Sequence, residues 1–329
     1  MNVCGIDVSK DTLDIVVRKK GKSLKCKTFS NDFKGHQALV TYLKSHQVVR
    51  CALEATGYYH FDIAMLLSEE KKMEMMVLNP RAAHNFAKAM MQQNKTDAID
   101  AELLAQFVDR MDFISWTAPP HEVFALRACG RLLISLTKSK TRAKNRLHAF
   151  STTKCTPAFI IDDLKLEIEQ LEGRIENLIS HALELIKNNA LLQSQYELLI
   201  GIKGIADRTV IKLLGEIGVL DSTMSAKQWV AHAGLYPKVF QSGSSVMKKA
   251  RIGKAGNRYI REALYMGALS AARHEPHLKG FYQHLILDNG LTKLQALCAV
   301  MRKILIAIHA MLKTEKCFDG SRLYQLASH

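Results

Sequence analysis

The sequence lacks several features that would assign it to common classes of protein. Its seven cysteines are an odd number, and no two of them form a Cys-x-x-Cys pair. We therefore expect free thiols in a reducing cytoplasm, not a disulfide framework or a zinc site. No uncharged apolar run reaches about 18 residues, because Arg302 and Lys303 interrupt the longest stretch, and we expect no membrane span. The first ten residues contain Asp7 and no apolar stretch, so we expect no secretory signal.

Acidic residues are scarce in two parts of the chain. The whole sequence has 46 Lys and Arg against 31 Asp and Glu, and residues 201–329 alone have 19 against 8. No acid occurs between Glu122 and Asp162, and the stretch from Arg127 to Arg146 alone contains seven cations: Arg127, Arg131, Lys138, Lys140, Arg142, Lys144 and Arg146. One such cluster is also typical of a solvated helix face. Two clusters on a chain of net charge +15 favour nucleic acid as the partner.

The first 117 residues have the alternation of an α/β domain. Apolar and β-branched runs predict strands, and helical spacing and a cap at Thr96 predict helices. The predicted strands are 3–8, 12–17, 24–29, 48–53 and 75–78, and the predicted helices are 33–43, 59–67, 82–91 and one that begins near Asp97. The order β-β-β-α-β-α-β-α is that of an RNase H-like, or RuvC-like, fold.

Beyond Pro119 the pattern is helical. A long helix over 122–150 contains the seven cations, and Pro157 ends it. Apolar residues then recur at alternating steps of three and four: Ile161, Leu164, Ile168, Leu171, Ile175, Leu178, Ala182 and Leu185. This heptad seam predicts a coiled coil, and the alternative is an amphipathic helix packed on its own domain. We therefore predict three domains: 1–155, a coiled-coil connector over 156–192, and a helical domain over 193–329.

The last domain contains a pattern typical of a helix-hairpin-helix. Gly201 and Gly204 separate two apolar runs, and glycines there let backbone N–H groups approach a phosphate. Helices are also predicted over 226–233, 257–272 and 292–312. The intervening segment 234–256 is rich in Gly, Ser and basic residues, and we expect a loop there.

Four carboxylates stand at positions that an RNase H-like fold would bring together. Asp7 lies within an apolar strand, Glu54 ends another, and Asp97 and Asp100 share one face of a first helical turn. Such a set could hold two Mg²⁺ ions through hard oxygen ligands and promote phosphodiester chemistry. Taken singly, Asp97 and Asp100 could equally complement the helix dipole, and Glu54 could simply meet solvent. We interpret the nearby Asp11, Asp14 and Glu102 as ordinary surface residues.

The same motifs resemble those of insertion-sequence family 110 transposases, over nearly the whole chain. The segments that match are Gly5-Ile6-Asp7-Val8-Ser9-Lys10, Leu53-Glu54-Ala55-Thr56-Gly57, Asn94-Lys95-Thr96-Asp97-Ala98-Ile99-Asp100-Ala101, Gly201-Ile202-Lys203-Gly204-Ile205, Ala226-Lys227-Gln228-Trp229, Ala233-Gly234-Leu235-Tyr236-Pro237 and Gly253-Lys254-Ala255-Gly256-Asn257-Arg258.

The resemblance implies an RNA-guided DNA recombinase. It implies a RuvC-like nuclease domain with Asp7, Glu54, Asp97 and Asp100 as the catalytic and metal-binding residues, for Mg²⁺ with Mn²⁺ able to substitute. A structured noncoding RNA, the bridge RNA, would pair with target and donor DNA. A coiled-coil connector and a helical domain would follow, and the assembly would be a homodimer or homotetramer with a composite active site. The protein would be cytoplasmic, associated with the bacterial nucleoid during transposition.

The nucleophile of that family is a serine in a Ser-Gly motif, which corresponds here to Ser242. The family's second glycine is Ser244 in this chain, so Ser244 and Ser245 are the alternatives. The hairpin also departs from the family pattern at Lys203 and Ala206. The residues expected to bind nucleic acid are the seven cations of the long helix together with Lys203, Lys248, Lys249, Arg251, Lys254 and Arg258.

Other functions remain open at this level. A hydrolytic RuvC-like nuclease acting on Holliday junctions would use the carboxylates and water, with Ser242 incidental. A nucleic-acid-binding architectural protein would use only the basic clusters, and the intact carboxylate set argues against it. A tyrosine recombinase is disfavoured, because Tyr324 has no convincing Arg, His and Arg setting.

Overall fold

The computed structural model describes residues 1–55, 57–92, 96–242, 246–253 and 255–326. The chain divides by packing into two units, Met1–Ala118 and Pro119–His329. The division comes before the long basic helix, which the sequence analysis placed in a first domain ending at residue 155. The domain boundaries at 155 and 192 stay predictions about functional segments.

A mixed sheet forms the centre of the first unit. Its strands are β1 (Asn2–Val8), β2 (Thr12–Lys19), β3 (Lys22–Ser23), β4 (Lys27–Ser30), β5 (Val48–Glu54) and β6 (Glu74–Leu78). The order across the sheet is β3-β2-β1-β5-β6, with β4 also paired to β2. β1 is antiparallel to β2 and parallel to β5, which leaves it at the centre. The α/β prediction is confirmed. The predicted third strand over 24–29 corresponds to β4, and β3 is a short additional strand that precedes it.

Four helices accompany this sheet in the described residues: α1 (Phe33–Ser45), α2 (Phe61–Ser68), α3 (Pro80–Ala89) and α4 (Asp97–Arg110). A Cβ atom built on Gly5 of β1 would collide with the backbone of α4 at Ala101 and Ala105. Glycine is therefore required at this position, because any side chain would push α4 away from the strand. This close approach fixes where the first turn of α4 lies relative to Asp7.

Helices dominate the second unit. They are α5 (His121–Ser151), α6 (Ala158–Lys187), α7 (Ala190–Ile200), α8 (Asp207–Ile217), α9 (Ala226–Ala233), α10 (Arg258–His274), α11 (Pro276–Leu287) and α12 (Lys293–Thr314), with a short 3₁₀ turn at Gly320–Arg322. α12 is long and apolar enough to cross a membrane by length and composition. Its residues Val300, Ile304, Leu305 and Ile308 are buried in the core of the unit, as expected for a central helix of a helical domain.

The heptad seam of α6 is buried within the chain. Leu164, Ile168, Leu171 and Ile175 are inaccessible or nearly so, and α6 packs on α5, where Leu133 and Leu136 belong to the same core. The ion pairs Lys144–Glu172 and Arg146–Glu167 join the two helices in antiparallel orientation. In this structure α6 is an amphipathic helix packed on its own domain, which was the alternative to a coiled coil. A coiled coil between protomers stays a prediction.

The segment expected to be a loop between Gly234 and Gly256 is instead a β-hairpin. β7 (Pro237–Ser242) pairs antiparallel with β8 (Val246–Ile252), with Ser242 opposite Val246. The prediction of a loop was wrong for the described residues, because Pro237–Ser242 and Val246–Ile252 contain β-branched and apolar residues that form strands. α7 and α8 are joined by a short turn that contains Gly201 and Gly204. Its assignment as a nucleic-acid-binding hairpin stays a prediction.

Candidate active site

The first unit brings the four predicted carboxylates into one neighbourhood. Asp7 belongs to the central strand β1 and Glu54 ends the adjacent parallel strand β5, while Asp97 and Asp100 begin α4. Burial, then the negative charges of Asp100, Asp97, Asp14 and Glu54, raise the pKa of Asp7 from 3.8 to about 6. Residues far apart in sequence therefore act on one another electrostatically, as the carboxylate prediction requires.

Asp14 is a fifth acid of this cluster, which the sequence analysis had interpreted as an ordinary exposed position. It lies directly opposite Asp7 in the β1–β2 ladder, so the two side chains share one face of the sheet. The Asp14 carboxylate accepts a hydrogen bond from the hydroxyl of Thr28 at 2.6 Å. The length of the tight turn around residues 9–11 fixes the register of β2 against β1. This pairing could therefore have been predicted from the sequence.

The first turn of α4 presents two of the acids. The Thr96 hydroxyl accepts a hydrogen bond from the backbone N–H of Ile99 at 3.3 Å, which confirms the predicted N-cap. On the other side of the helix, Arg18 of β2 pairs with Glu102 at 2.8 Å and with Asp109 at 3.4 Å. Arg18 is buried, so these ion pairs help to hold α4 against the sheet.

The chemistry of this donor set fits a hard divalent cation. Carboxylate oxygens are the preferred protein ligands of Mg²⁺, and mutual repulsion of the kind seen at Asp7 is relieved by a cation. In the described part of the chain, no three His, Cys, Asp or Glu residues form a ready-made metal cluster. The carboxylates are therefore near one another, and their oxygens would have to move closer together to coordinate an ion.

A cleft of about 470 Å³ opens beside the acids. Asp7, Glu54 and Asp100 form its acidic part. Its other lining residues come from α3, α4 and the segment after α3: Pro80, Ala83, His84, Phe86, Ala87, Lys88, Gln92, Leu103, Leu104 and Phe107. The carboxylates are thus reached through a space with largely apolar walls.

The seven predicted nucleic-acid-binding cations of α5 do not form an uninterrupted positive surface. Lys138 pairs with Glu262 of α10, Lys140 and Lys144 pair with Glu172 of α6, and Arg146 pairs with Glu167 of α6. Arg142 donates to the hydroxyl of Ser139 in its own helix at 3.2 Å. The acids missing from this stretch of sequence are thus supplied by other helices.

Arg127 and Arg131, the first two of those cations, bind the buried carboxylate of Glu216 in α8. Arg131 donates from Nε and Nη2, and Arg127 from Nε at 3.3 Å. Burial would raise the pKa of Glu216, but the hydrogen bond from Arg131, the charge of Arg127 and the hydrogen bond from Asn257 outweigh it, and the pKa is lowered. Glu216 could not be identified from the sequence, because an acid in an apolar helix gives no sign of its distant partners.

The β7–β8 hairpin that contains Ser242 is fixed at its base. The backbone N–H of Gly253 donates to the carbonyl of Tyr236 at 2.9 Å, and a Cβ on Gly253 would collide with the Tyr236 ring. Nearby, Arg261 donates to the carbonyl of Ala233 at 2.8 Å. Lys248, Lys249 and Arg251 belong to β8. Ser244, Ser245 and Lys254 lie outside the described residues.

Two further predicted contact residues are exposed. Lys203 lies in the turn between α7 and α8, and Arg258 begins α10. The Arg258 guanidinium lies 4.9 Å from the centre of the Tyr259 ring, and that of Arg131 lies 4.3 Å from the same ring. Lys203 and Arg258 are thus both exposed next to a helix terminus, where a phosphate could reach them.

Comparison with known proteins gives consistent matches over both units. A family model described as "Transposase" (DEDD, IS110) matches residues 4–153, and one described as "Transposase IS116/IS110/IS902 family" matches residues 196–283. The pilin gene-inverting protein of Moraxella bovis is 30% identical over 96% of this chain and 97% of its own length. The transposase for insertion sequence element IS1328 of Yersinia enterocolitica is 23% identical over 80% of this chain and 82% of its own.

A solved structure of Thermus thermophilus RuvC with a Holliday junction substrate is 14% identical, with a TM-score of 0.28. It covers 34% of this chain and 96% of RuvC, and the likeness is weak. The family models and the relative of near-equal length are the stronger findings, and the first family model spans the segments that contain Asp7, Glu54 and Asp97. The chain belongs to the IS110 family of transposases.

Proposed function

We propose that this transposase cuts and rejoins DNA strands at the carboxylate cluster of its first unit, with Ser242 of the second unit as the nucleophile. The observation that supports it best is the raised pKa of Asp7, caused by burial and then by Asp100, Asp97, Asp14 and Glu54. Acids placed against one another in this way are costly to fold and typical of a functional site. Family membership makes DNA the substrate.

Asp7, Glu54, Asp97 and Asp100 would hold Mg²⁺, in two sites, with Mn²⁺ able to substitute. Bound there, the metal would supply charge neutralisation at the phosphate and at the leaving oxygen. Other residues of the first unit position these four acids. Gly5 keeps α4 close to β1, and the Thr96 cap starts that helix at Asp97, so the four acids stay within reach of a common ligand.

In the serine step, the Oγ of Ser242 attacks the phosphorus of a DNA phosphodiester. A bond forms between Oγ and phosphorus, and the bond between phosphorus and one deoxyribose oxygen breaks. The serine proton passes to a base, and the leaving oxygen takes up a proton. The reverse reaction with another strand end rejoins the DNA without hydrolysis, and because Ser242 and the acids lie in different units, both units must meet on the DNA.

The proposal also includes binding of a guide RNA and assembly of the protein into a homo-oligomer. The net charge of +15, with exposed cations at Lys203 and Arg258, supports polyanion binding by both RNA and DNA. A dimer or tetramer would allow Ser242 of one protomer to serve the acids of another. The expected setting is the bacterial cytoplasm, at the nucleoid during transposition.

Strand cleavage by matched variants tests the proposal against the hydrolytic nuclease. The substrate is a plasmid with the ends of the chain's own element, supplied with transcripts of its flanking noncoding DNA. We expect Asp7→Asn and Ser242→Ala each to abolish Mg²⁺-dependent cleavage, with Ser139→Ala as a control that leaves it unchanged. Nicking that survives Ser242→Ala but is lost in Asp7→Asn would establish the hydrolytic alternative instead.

A further inference from the structure

The helix α3 has its apolar side only partly covered: Ala83, Phe86 and Ala87 are half-buried, and Ala83 packs against the cluster that contains Leu104. None of its ten residues is fully buried, although α4 beside it buries five. Ala83, Phe86 and Ala87 of α3 instead line the cleft that leads to the carboxylates. An amphipathic helix normally buries such a face, so the cleft is a surface that suits an apolar ligand.

The opposite wall of the cleft comes from α4. Leu103, Leu104 and Phe107 line it, and the Phe86 and Phe107 rings meet edge to face with their centres 5.1 Å apart. These two rings contact each other, so the open part of the cleft lies beside the pair and has aromatic and aliphatic surfaces around it. A flat aromatic group can stack there with little need for hydrogen bonds.

Two side chains able to bind a phosphate stand on the same helix. His84 and Lys88 are one helical turn apart, are exposed, and line the same cleft. The cleft thus combines an apolar region, two groups able to bind a phosphate, and carboxylates that would hold a metal. A nucleotide has the matching parts, because its base is flat and apolar on its faces and its phosphates are anionic.

We propose that this cleft receives one unstacked base of the DNA strand held for cutting, with Lys88 and His84 on the flanking phosphates. The inference rests on the proposed function, since it takes the carboxylates as the place where the strand is cut. A base paired and stacked in a duplex could not enter a cleft of about 470 Å³, so the target nucleotide must leave the stack. Stacking on the apolar part of the cleft does not read a base edge, so this contact tolerates any base.

Filling the cleft tests the proposal, and α3 offers a matched control. Ala87→Trp places an indole in the cleft, whereas Ala89→Trp places one on an exposed position of the same helix outside the lining residues. Binding of the full chain to a twelve-residue thymidine oligonucleotide is compared with binding to an abasic strand of equal length, in CaCl₂, by fluorescence anisotropy. The abasic strand keeps the phosphates and lacks the bases.

We expect the wild-type chain and Ala89→Trp to prefer the thymidine strand about tenfold, within the range for one stacked base. Ala87→Trp should lose this preference while its affinity for the abasic strand stays unchanged. An equal preference in all three proteins would overturn the proposal. A thermal melt of each variant checks folding, and Ala83→Trp provides a second cleft-filling variant if Ala87→Trp unfolds.

Cross-linking then locates the base and separates this inference from the serine mechanism. A strand with one 5-iododeoxyuridine should cross-link to Phe86 or Phe107 in the Ser242→Ala background, where no serine adduct can form. Cross-links from an iodouridine RNA alone would assign the cleft to RNA and overturn the DNA proposal. If the cleft binds a DNA base but no serine adduct is ever found, the proposed nucleophile is wrong and the base site stands.

Discussion

Asn257 donates a hydrogen bond from Nδ2 to Oε2 of Glu216 at 2.6 Å, which ties the start of α10 to a carboxylate only 2% exposed. The same Asn257 caps α10 through its side-chain oxygen and donates its backbone N–H to the carbonyl of His232 at 2.7 Å. Glu216 also binds Arg127 and Arg131 of α5. One carboxylate thus joins α5 and α8 to the segment that follows the Ser242 hairpin.

Loss of Glu216 should destabilise the second unit strongly. Glu216→Ala leaves two half-buried guanidinium groups and an amide without their shared acceptor, and the cost of breaking a buried ion pair is about 3–5 kcal/mol. Glu262→Ala is the control, since its pair with Lys138 is largely exposed and is expected to contribute less than about 1 kcal/mol. Urea unfolding of both variants measures the difference, and equal small losses would contradict the account.

The stabilising effect of Glu216 should depend on pH. Its pKa is lowered in the folded chain, so its contribution is present above the ordinary value of 4.5 and is lost as the pH falls through the folded pKa. The stability gap between the wild-type chain and Glu216→Gln should therefore be largest near pH 7 and close at acidic pH. Denaturant midpoints at pH 7, 5 and 4 measure the gap. A gap that widens on acidification would be inconsistent with a lowered pKa.

A side chain at position 5 should disturb the acidic site without touching an acid. Gly5→Val forces α4 away from β1, because its Cβ meets the backbone at Ala101 and Ala105. We expect a loss of stability of about 1–3 kcal/mol from overpacking and a loss of cleavage. Gly173→Ala, where a Cβ meets open space within α6, should instead be neutral or stabilising by up to about 1 kcal/mol. Thermal melts and cleavage assays of both variants provide the comparison.

Nucleic-acid affinity should depend on the basic residues unequally. Arg142 and Lys203 are exposed and can meet a phosphate, so Arg142→Ala and Lys203→Ala should each lower the slope of log K against log salt by about one with no change in melting temperature. Arg131→Ala should instead lower the melting temperature through Glu216. Binding isotherms at four salt concentrations test this. Salt slopes of Arg142→Ala and Lys203→Ala equal to that of the wild-type chain would show that Arg142 and Lys203 contact no phosphate.

The sequence predicted the strands and the helix start that present the acids of the candidate active site. Alternation of apolar residues located β1 and β5, and the cap at Thr96 placed Asp97 and Asp100 in one turn. Features that depend on distant partners were missed. Asp14 joins the acids only through strand register, Glu216 meets its arginines only after α5 and α8 pack, and the α6 seam gives no sign of whether its partner helix is in the same chain.

The β7–β8 hairpin shows a second limit of structure prediction from the sequence. Its Gly and Ser residues dominated the local pattern, although the strands on either side pair through Pro237 to Ser242 and Val246 to Ile252. Pairing between strands is a tertiary property, so a turn signal alone could not distinguish a hairpin from an open loop. The position of Ser242 at the end of β7 therefore became visible only in the structure.

The central claim is that Ser242 becomes covalently joined to DNA. The direct measurement is to stop the reaction of the full chain with its DNA, flanking transcript and Mg²⁺ by denaturation, digest the protein, and map any nucleotide-bearing peptide by mass spectrometry. The account predicts one adduct on Ser242, absent from Ser242→Ala and from Asp7→Asn. Strand cleavage with no adduct, or an adduct on Ser244 or Ser245 that persists in Ser242→Ala, would contradict it.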